Sequence, residues 1–374
     1  MDTIIEDAIL FGRIVVEQFG VEVEEVSDWD PDGLEDLFQK LPALVVLSIQ
    51  GVLDVDYLDR VSQYCPSLKC LKYNAPPHDV IQWPYKWDTS LEQGIQELYF
   101  GDGYYGDFTE HMNENIIRAS KTLKYLNVQH SLFEYEPAMI PLPPETTFPY
   151  LVHLSGAPEY DDVLRLLLSI IPRAPHLEVI KLDDPFIEWE DTAPIDMMAA
   201  CIHLTNTNVI MEETHQDVNA MKRFLNTHIQ KGHHSPLRSL AIGIWTEECA
   251  QELLPLLSQL PLVEDLHLAV DYESPLATII DAITANNAIK QLKISVTICD
   301  VIDEPIFGRL QHAHSLSSLA IDVDHLSPMA ALSILEVTQL VHLQIPFKGL
   351  DDSTIDILRT QFPNVKTLPS PFAL

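Results

Sequence analysis

Basic side chains are scarce in this 374-residue chain: 22 lysines and arginines stand against 56 aspartates and glutamates, a formal net charge of −34. A deficit of that size repels phosphate backbones and anionic bilayers, so no nucleic acid and no membrane is expected as a partner, and a basic partner is favoured. Cysteine is sparse as well. Cys65, Cys70, Cys201, Cys249 and Cys299 are odd in number and scattered, and there is no Asn-x-Ser/Thr sequon. Reduced thiols in a cytoplasmic or nuclear setting follow from that usage. No run of roughly 18 apolar residues occurs, and the opening Met-Asp-Thr-Ile-Ile-Glu-Asp has no positive leader, so neither a spanning helix nor a signal peptide is expected. Gly-x-Ser-x-Gly and Cys-x-x-Cys are both missing. Gly101 to Asp107 is glycine-rich but has neither the spacing nor the lysine of a phosphate loop.

What the chain does have is one phrase, repeated. Cys65-Pro66-Ser67-Leu68-Lys69-Cys70-Leu71-Lys72-Tyr73 places apolar residues at i, i+3 and i+5. Copies start at Leu44, Leu68, Ile95, Leu123, Leu151 (with Gly156 in the third place), Leu177 and Leu204, a poor copy with Thr207 in the second place. Others start at Leu237, Val263, Ile289, Leu316, Leu340 and Val365. These thirteen copies lie 24 to 28 residues apart, with one gap of 33 before Leu237. Proline precedes the first apolar position by two at Pro42, Pro66, Pro149, Pro175, Pro261 and Pro363. Positions i+3 and i+5 share one face of an extended segment, so each phrase predicts a short strand with that face buried. Between phrases the apolar spacing is helical, as in Val163 to Ile171 and Leu253 to Leu260. One such unit cannot bury its own apolar face, whereas a stack of them can.

This pattern resembles the leucine-rich-repeat family over residues 41–374, and the Cys-Pro-x-Leu-x-x-Leu-x-Tyr phrase is most similar to the subtype attached to F-box domains in ubiquitin-ligase receptors. The resemblance implies an α/β solenoid, a horseshoe with parallel strands on the concave face and helices on the convex face. Spacings agree: strands stack about 4.8 Å apart and helices 8 to 10 Å apart, which bends the stack with strands inside. It also implies a non-enzymatic protein-binding scaffold, with a Skp1-type adaptor as a second partner if an F-box is present. The family's Asn or Cys beyond the strand is replaced here, by Val52, Pro76, Gly103, Ser131 and Glu159 in the first copies. Residues 1–40, with an apolar helix pattern from Ile4 to Phe11 and an alternating Val21-Glu22-Val23, read as a degenerate capping repeat with no room for an F-box. A stand-alone acidic inhibitor or chaperone of a basic protein, and a GTPase-activating regulator, are the alternatives from other classes.

The irregular stretches are also foreseeable. Prolines from Pro137 to Pro144 predict a back face without a helix between Leu123 and Pro149, and Thr205 to His234 predicts an extended loop. Asp28, Asp30, Asp32, Gly33 and Asp36 match a calcium-loop spacing, but Gln39 stands where the bidentate Glu belongs. An acidic helix start with Asp30 as N-cap and Pro31 at N1 accounts for the same residues. His233-His234 and His312-x-His314 lack further metal-ligating neighbours in sequence and read as surface histidines. No metal and no cofactor is implied.

Two surfaces are candidates for contact with a protein. Strand alternation puts Lys72, Glu97, Tyr99, Tyr125, His153, Lys181, Asp265, His267, Lys293, Asp322, His342 and Gln344 on the concave side, a surface mixed in sign. The loops after the strands form the second, an edge rich in acids and aromatics. It runs through Tyr104, Tyr105 and Asp107, then Phe133, Tyr135 and Glu136, then Tyr160, Asp161 and Asp162, then Asp184, Phe186, Glu188 and Trp189, with Trp245 further on. Carboxylates there attract Lys and Arg, and exposed rings add contact area and cation–π attraction.

Overall fold

The computed structural model describes residues 14–16, 21–23, 45–49, 65–73, 94–101, 108–130, 142–158, 161–182, 193–209, 218–271, 276–297 and 301–367. Two compact units divide the chain, Met1–Ile187 and Glu188–Leu374.

In the first unit, β1 (Ile14–Val16) and β2 (Val21–Val23) form an antiparallel pair, and β1 lies antiparallel to β3 (Val46–Ile49). From β3 the pairing is parallel and in chain order, through β4 (Cys70–Tyr73), β5 (Glu97–Phe100), β6 (Tyr125–His130), β7 (His153–Pro158) and β8 (Val179–Leu182). Helices α1 (Phe108–Ala119) and α2 (Asp161–Ile170) connect successive strands. Val21 to Val23 is the strand its alternation predicts; Ile4 to Phe11 and Asp28 to Gln39 lie outside the described residues. Residues 142–150 carry turns and no helix, as the prolines require.

The second unit repeats the scheme with β9 (Asn206–Val209), β10 (Ser239–Ile244), β11 (Asp265–Asp271), β12 (Gln291–Thr297), β13 (Ser318–Asp322), β14 (His342–Ile345) and β15 (Lys366–Thr367). All of these pair in parallel, in order. Its helices are α3 (Ala193–Ala200), α4 (Val218–Lys231), α5 (Glu247–Leu257), α6 (Leu276–Thr284), α7 (Pro328–Ser333) and α8 (Asp352–Gln361), with a 3-10 helix at Ile306–His312. Helix α4 corrects the extended loop expected over Thr205 to His234. Ala220, Met221, Phe224, Leu225 and His228 are buried at helical spacing, and that stripe outweighs the turn-forming Thr, Asn and Gly around it.

Every phrase falls on a strand, and the register aligns them. Leu47, Leu71, Leu98, Leu126, Leu154 and Ile180 are partners across the first unit and all are buried; Leu240, Leu266, Leu292, Leu319 and Leu343 do the same in the second. Thr207 takes a leucine's place beside Leu240, and its hydroxyl finds Met198 Sδ at 3.6 Å. Gly156 is fixed by crowding: a Cβ there would sit 2.5 Å from Val128 O and 2.9 Å from Leu167 Cδ1. The recurrent proline occupies the second place of a turn. Leu68 N–H donates to Cys65 O at 3.0 Å, Leu177 to Ala174 O at 3.3 Å and Val365 to Phe362 O at 2.9 Å.

Two further devices recur. At the starts of β4 to β8 and β10 to β14 one carbonyl accepts two successive amides, as Val45 O does from Lys69 and Cys70, Lys124 O from Val152 and His153, and Lys290 O from Ser317 and Ser318. Side chains in the turn before a strand also grip the preceding repeat's backbone. Asn286 Nδ2 donates to Leu257 O and Leu260 O at 2.9 and 3.0 Å, and Gln339 Nε2 donates to Leu310 O and Ala313 O at 3.0 Å each. Arg173 Nη1 does the same to Leu142 O and Pro143 O. Each unit is an α/β solenoid, and these grips tie the turn before a strand to the backbone of the repeat before it.

Candidate functional site

The sheet surface opposite the leucine ridge is the candidate. In the first unit the register sets Cys70, Glu97, Tyr125, His153 and Val179 in one row and Lys72, Tyr99, Asn127, Ser155 and Lys181 in the next. The alternation is the expected one, with Leu71 buried and Lys72 half-buried. The surface is not open there, however. Tyr99, Tyr125 and His153 are 3%, 2% and 7% exposed, and Cys70, Tyr99 and Tyr125 form an apolar cluster against Val46. The cause is strand spacing: rings on neighbouring strands meet at stacking distance. Tyr99 and Tyr125 centroids lie 4.8 Å apart, Tyr125 and His153 4.4 Å, and Lys72 Nζ sits 5.4 Å over Tyr99. Asn127 Nδ2 donates to Tyr125 Oη at 3.2 Å, and Tyr125 Oη lies 3.1 Å from Ser155 Oγ. Burial, with the nearby Lys181 charge, lowers His153 to about 3.

In the second unit the same surface is polar and more open. Ser239 Oγ donates to Asp265 at 3.2 Å, His267 Nε2 lies 2.9 Å from Ser295 Oγ, and Lys293 pairs with Asp322 at 3.7 Å. His342 is exposed and Gln344 half-buried, while Leu343 between them and Leu292 on β12 are buried. Charges of both signs stand side by side, as the alternation predicts. Trp245, counted toward an exposed edge in the sequence, is 8% exposed, and a Cβ on Gly243 would touch its Nε1 at 2.6 Å. Its indole fills the space that glycine leaves.

Of the acidic-aromatic edge, Tyr104, Tyr105, Asp107, Phe133, Tyr135, Glu136, Tyr160, Asp184, Phe186, Glu188 and Trp189 lie outside the described residues. Asp161 and Asp162 open α2. Among the described residues no three His, Cys, Asp or Glu side chains are grouped to hold a metal. Burial pushes the Cys65, Cys201 and Cys249 thiols up to about 11, so they stay protonated near neutral pH and are weak nucleophiles. No helix among the described residues is long and apolar enough to cross a membrane.

Sequence reasoning missed the closed ring stack. Its signal was present in the register: an aromatic or imidazole residue at i+2 or i+4 of three successive phrases.

No protein-family model matches the chain, and no curated protein matches it. Among solved structures it is similar to the TLR13 chain of a TLR13–ssRNA13 complex, with a TM-score of 0.41 and 14% identity. The similarity covers 83% of this chain and spans 37% of the length of that one.

Proposed function

We propose that the chain is a non-enzymatic protein-binding scaffold whose partner presents a basic segment. The observation that carries this is how the few cations are used. In the second unit Lys222–Glu252, Arg223–Asp196, Lys290–Glu264, Lys293–Asp322 and Arg309–Asp281 are ion pairs between residues 26 to 30 apart, which is one repeat. Cations tied up between repeats leave a surface surplus of carboxylates for a partner to neutralise. The contact edge is the series of post-strand loops from Tyr104 to Trp189, where acids and rings alternate. Tyr135→Ala and Trp189→Ala should each weaken binding, and affinity should fall as salt is added. Affinity unchanged from low to high ionic strength would sink the idea, because exposed charges are screened beyond about 8 Å at physiological salt.

The finer reading is the substrate-recognition arm of an F-box/leucine-rich-repeat ubiquitin-ligase receptor, working in the cytoplasm or nucleus. The Cys65 to Tyr73 phrase and the roughly 26-residue helical units support it. Co-purification of a Skp1-type adaptor with the natural protein tests it, and failure of any adaptor to co-purify removes the ligase role while leaving the scaffold. A stand-alone acidic inhibitor or chaperone then accounts for the same charge.

A further inference from the structure

We infer that His228 and Ser235 form a proton-gated latch, which holds the connection between α4 and β10 closed only while the imidazole is neutral. His228 lies near the end of α4 and is fully buried, with its Nδ1 2.9 Å from Ser235 Oγ and the Phe224 ring 4.8 Å away. Ser235 follows the 3-10 turn Gly232–His234 and is itself buried, so this one hydrogen bond spans the whole connection. Gly232, at φ +53°, lets the backbone turn directly out of the helix. Ser235 Oγ also accepts the Leu237 N–H at 3.4 Å, and with its own proton and a second lone pair it can partner Nδ1 in either neutral tautomer. Nε2 is buried with no hydrogen-bond partner among the described residues. A second ring proton would keep Nδ1–H donating to Ser235 Oγ but would place a full charge on a buried ring whose Nε2–H has nothing to share it with.

The surroundings supply no counter-charge among the described residues. On its own helix, Lys231 repels a cation at His228. Helix α3 brings Asp196, held by Arg223 at 3.1 and 3.0 Å, and Cys201 follows it as a protonated thiol. Helix α5 brings Glu252, paired with Lys222, the protonated Cys249, and Glu247 and Glu248 in its first turn. Lys222 and Arg223 precede His228 by roughly 8 to 9 Å along the axis, so both carboxylates are engaged well below the ring. The connection adds exposed His233 and His234, and Arg238, whose guanidinium donates to Ser235 O and Leu237 O. Strands β9 and β10 contain no titratable residue. Burial, reinforced by Lys231, accordingly lowers His228 to about 4.

Because the closed state resists the proton and an open state near the ordinary pKa accepts it, acidification favours opening. Between pH 7.5 and pH 5 the opening equilibrium rises about 30-fold. Amide hydrogen exchange of the full chain, read by mass spectrometry over residues 224–238 and corrected for intrinsic rates, tests this. Protection should fall by that factor in the natural sequence, stay level in His228→Asn, and follow the natural sequence in a His267→Asn control. Ser235→Ala should already be poorly protected at pH 7.5. Equal protection at the two pH values in the natural sequence overturns the latch, as does a His228→Asn chain that loses as much. Should His228→Asn fail to fold, Ser235→Ala decides alone: protection equal to the natural sequence at pH 7.5 overturns it.

Discussion

Single positions show how much a strict repeat depends on its exceptions. Gly156 looks like a lapse in the phrase, yet any Cβ there meets Val128 O and Leu167 at less than 3 Å. Gly156→Ala should therefore destabilise the first unit by about 1–3 kcal/mol, seen as a lower urea midpoint; an unchanged midpoint would mean that both the β6 backbone and α2 can give way. His153 and His267 are the other informative positions. Burial lowers them to about 3 and about 4, with Lys181 and Lys293 adding to it, so both are neutral in the fold at pH 7. The sign follows directly. Stability is full above the unfolded pKa near 6.5 and is lost as pH falls below it, by up to about 1.4 kcal/mol per unit for each group. Denaturation at pH 7.5 and pH 5 should show this loss, and His153→Gln should reduce it; a steeper loss in that variant would contradict the assignment. Alternation in the sequence was enough to place Tyr99, Tyr125 and His153 on the surface opposite the leucines. It could not reveal that they bury one another, because that depends on side chains one repeat away.

Elements were legible wherever a pattern is local. Every phrase became a strand because its i, i+3, i+5 spacing suits one buried face, and the proline marks a turn it can enter but a helix it cannot continue. Helix α4 was missed because its buried stripe runs through polar residues and ends in His228, which burial alone identifies as apolar in role. The grips between repeats were equally hidden. Nothing about Asn286 in sequence separates it from a surface asparagine, yet it is 5% exposed and makes three hydrogen bonds to backbone. Asn286→Ala strands Leu257 O and Leu260 O and should cost about 1–3 kcal/mol, whereas exposed Asn287→Ala should cost almost nothing. Equal thermal stability of the two variants would remove the grip from the account.

At the scale of the molecule, charge and periodicity act together. Acids stand at some helix starts, as with Glu247 and Glu248 on α5 and Asp352 on α8, and bases at some helix ends, as with Lys231 and Arg359. That placement complements the helix dipole, and the sequence shows it only once the helix ends are known. Stability of a repeat stack is a sum of units and their neighbour contacts, so damage should stay local. Leu292→Ala, at a fully buried ridge position, should cost about 2–5 kcal/mol and lower amide protection most in β11, β12 and β13. Strands β4 and β5 should keep theirs. Uniform loss of protection along the chain would instead mark a single cooperative block.

The grips have a bearing on how such a chain can change over time. Asn286, Gln339 and Arg173 each hold main-chain oxygens of the repeat before them. Every amino acid carries that oxygen. The joint thus asks for a particular residue on one side only, and the gripped repeat can exchange its own side chains without loosening it. Sequence drift can then run far along the stack while the stacking persists, and a recognisable fold outlasts recognisable kinship.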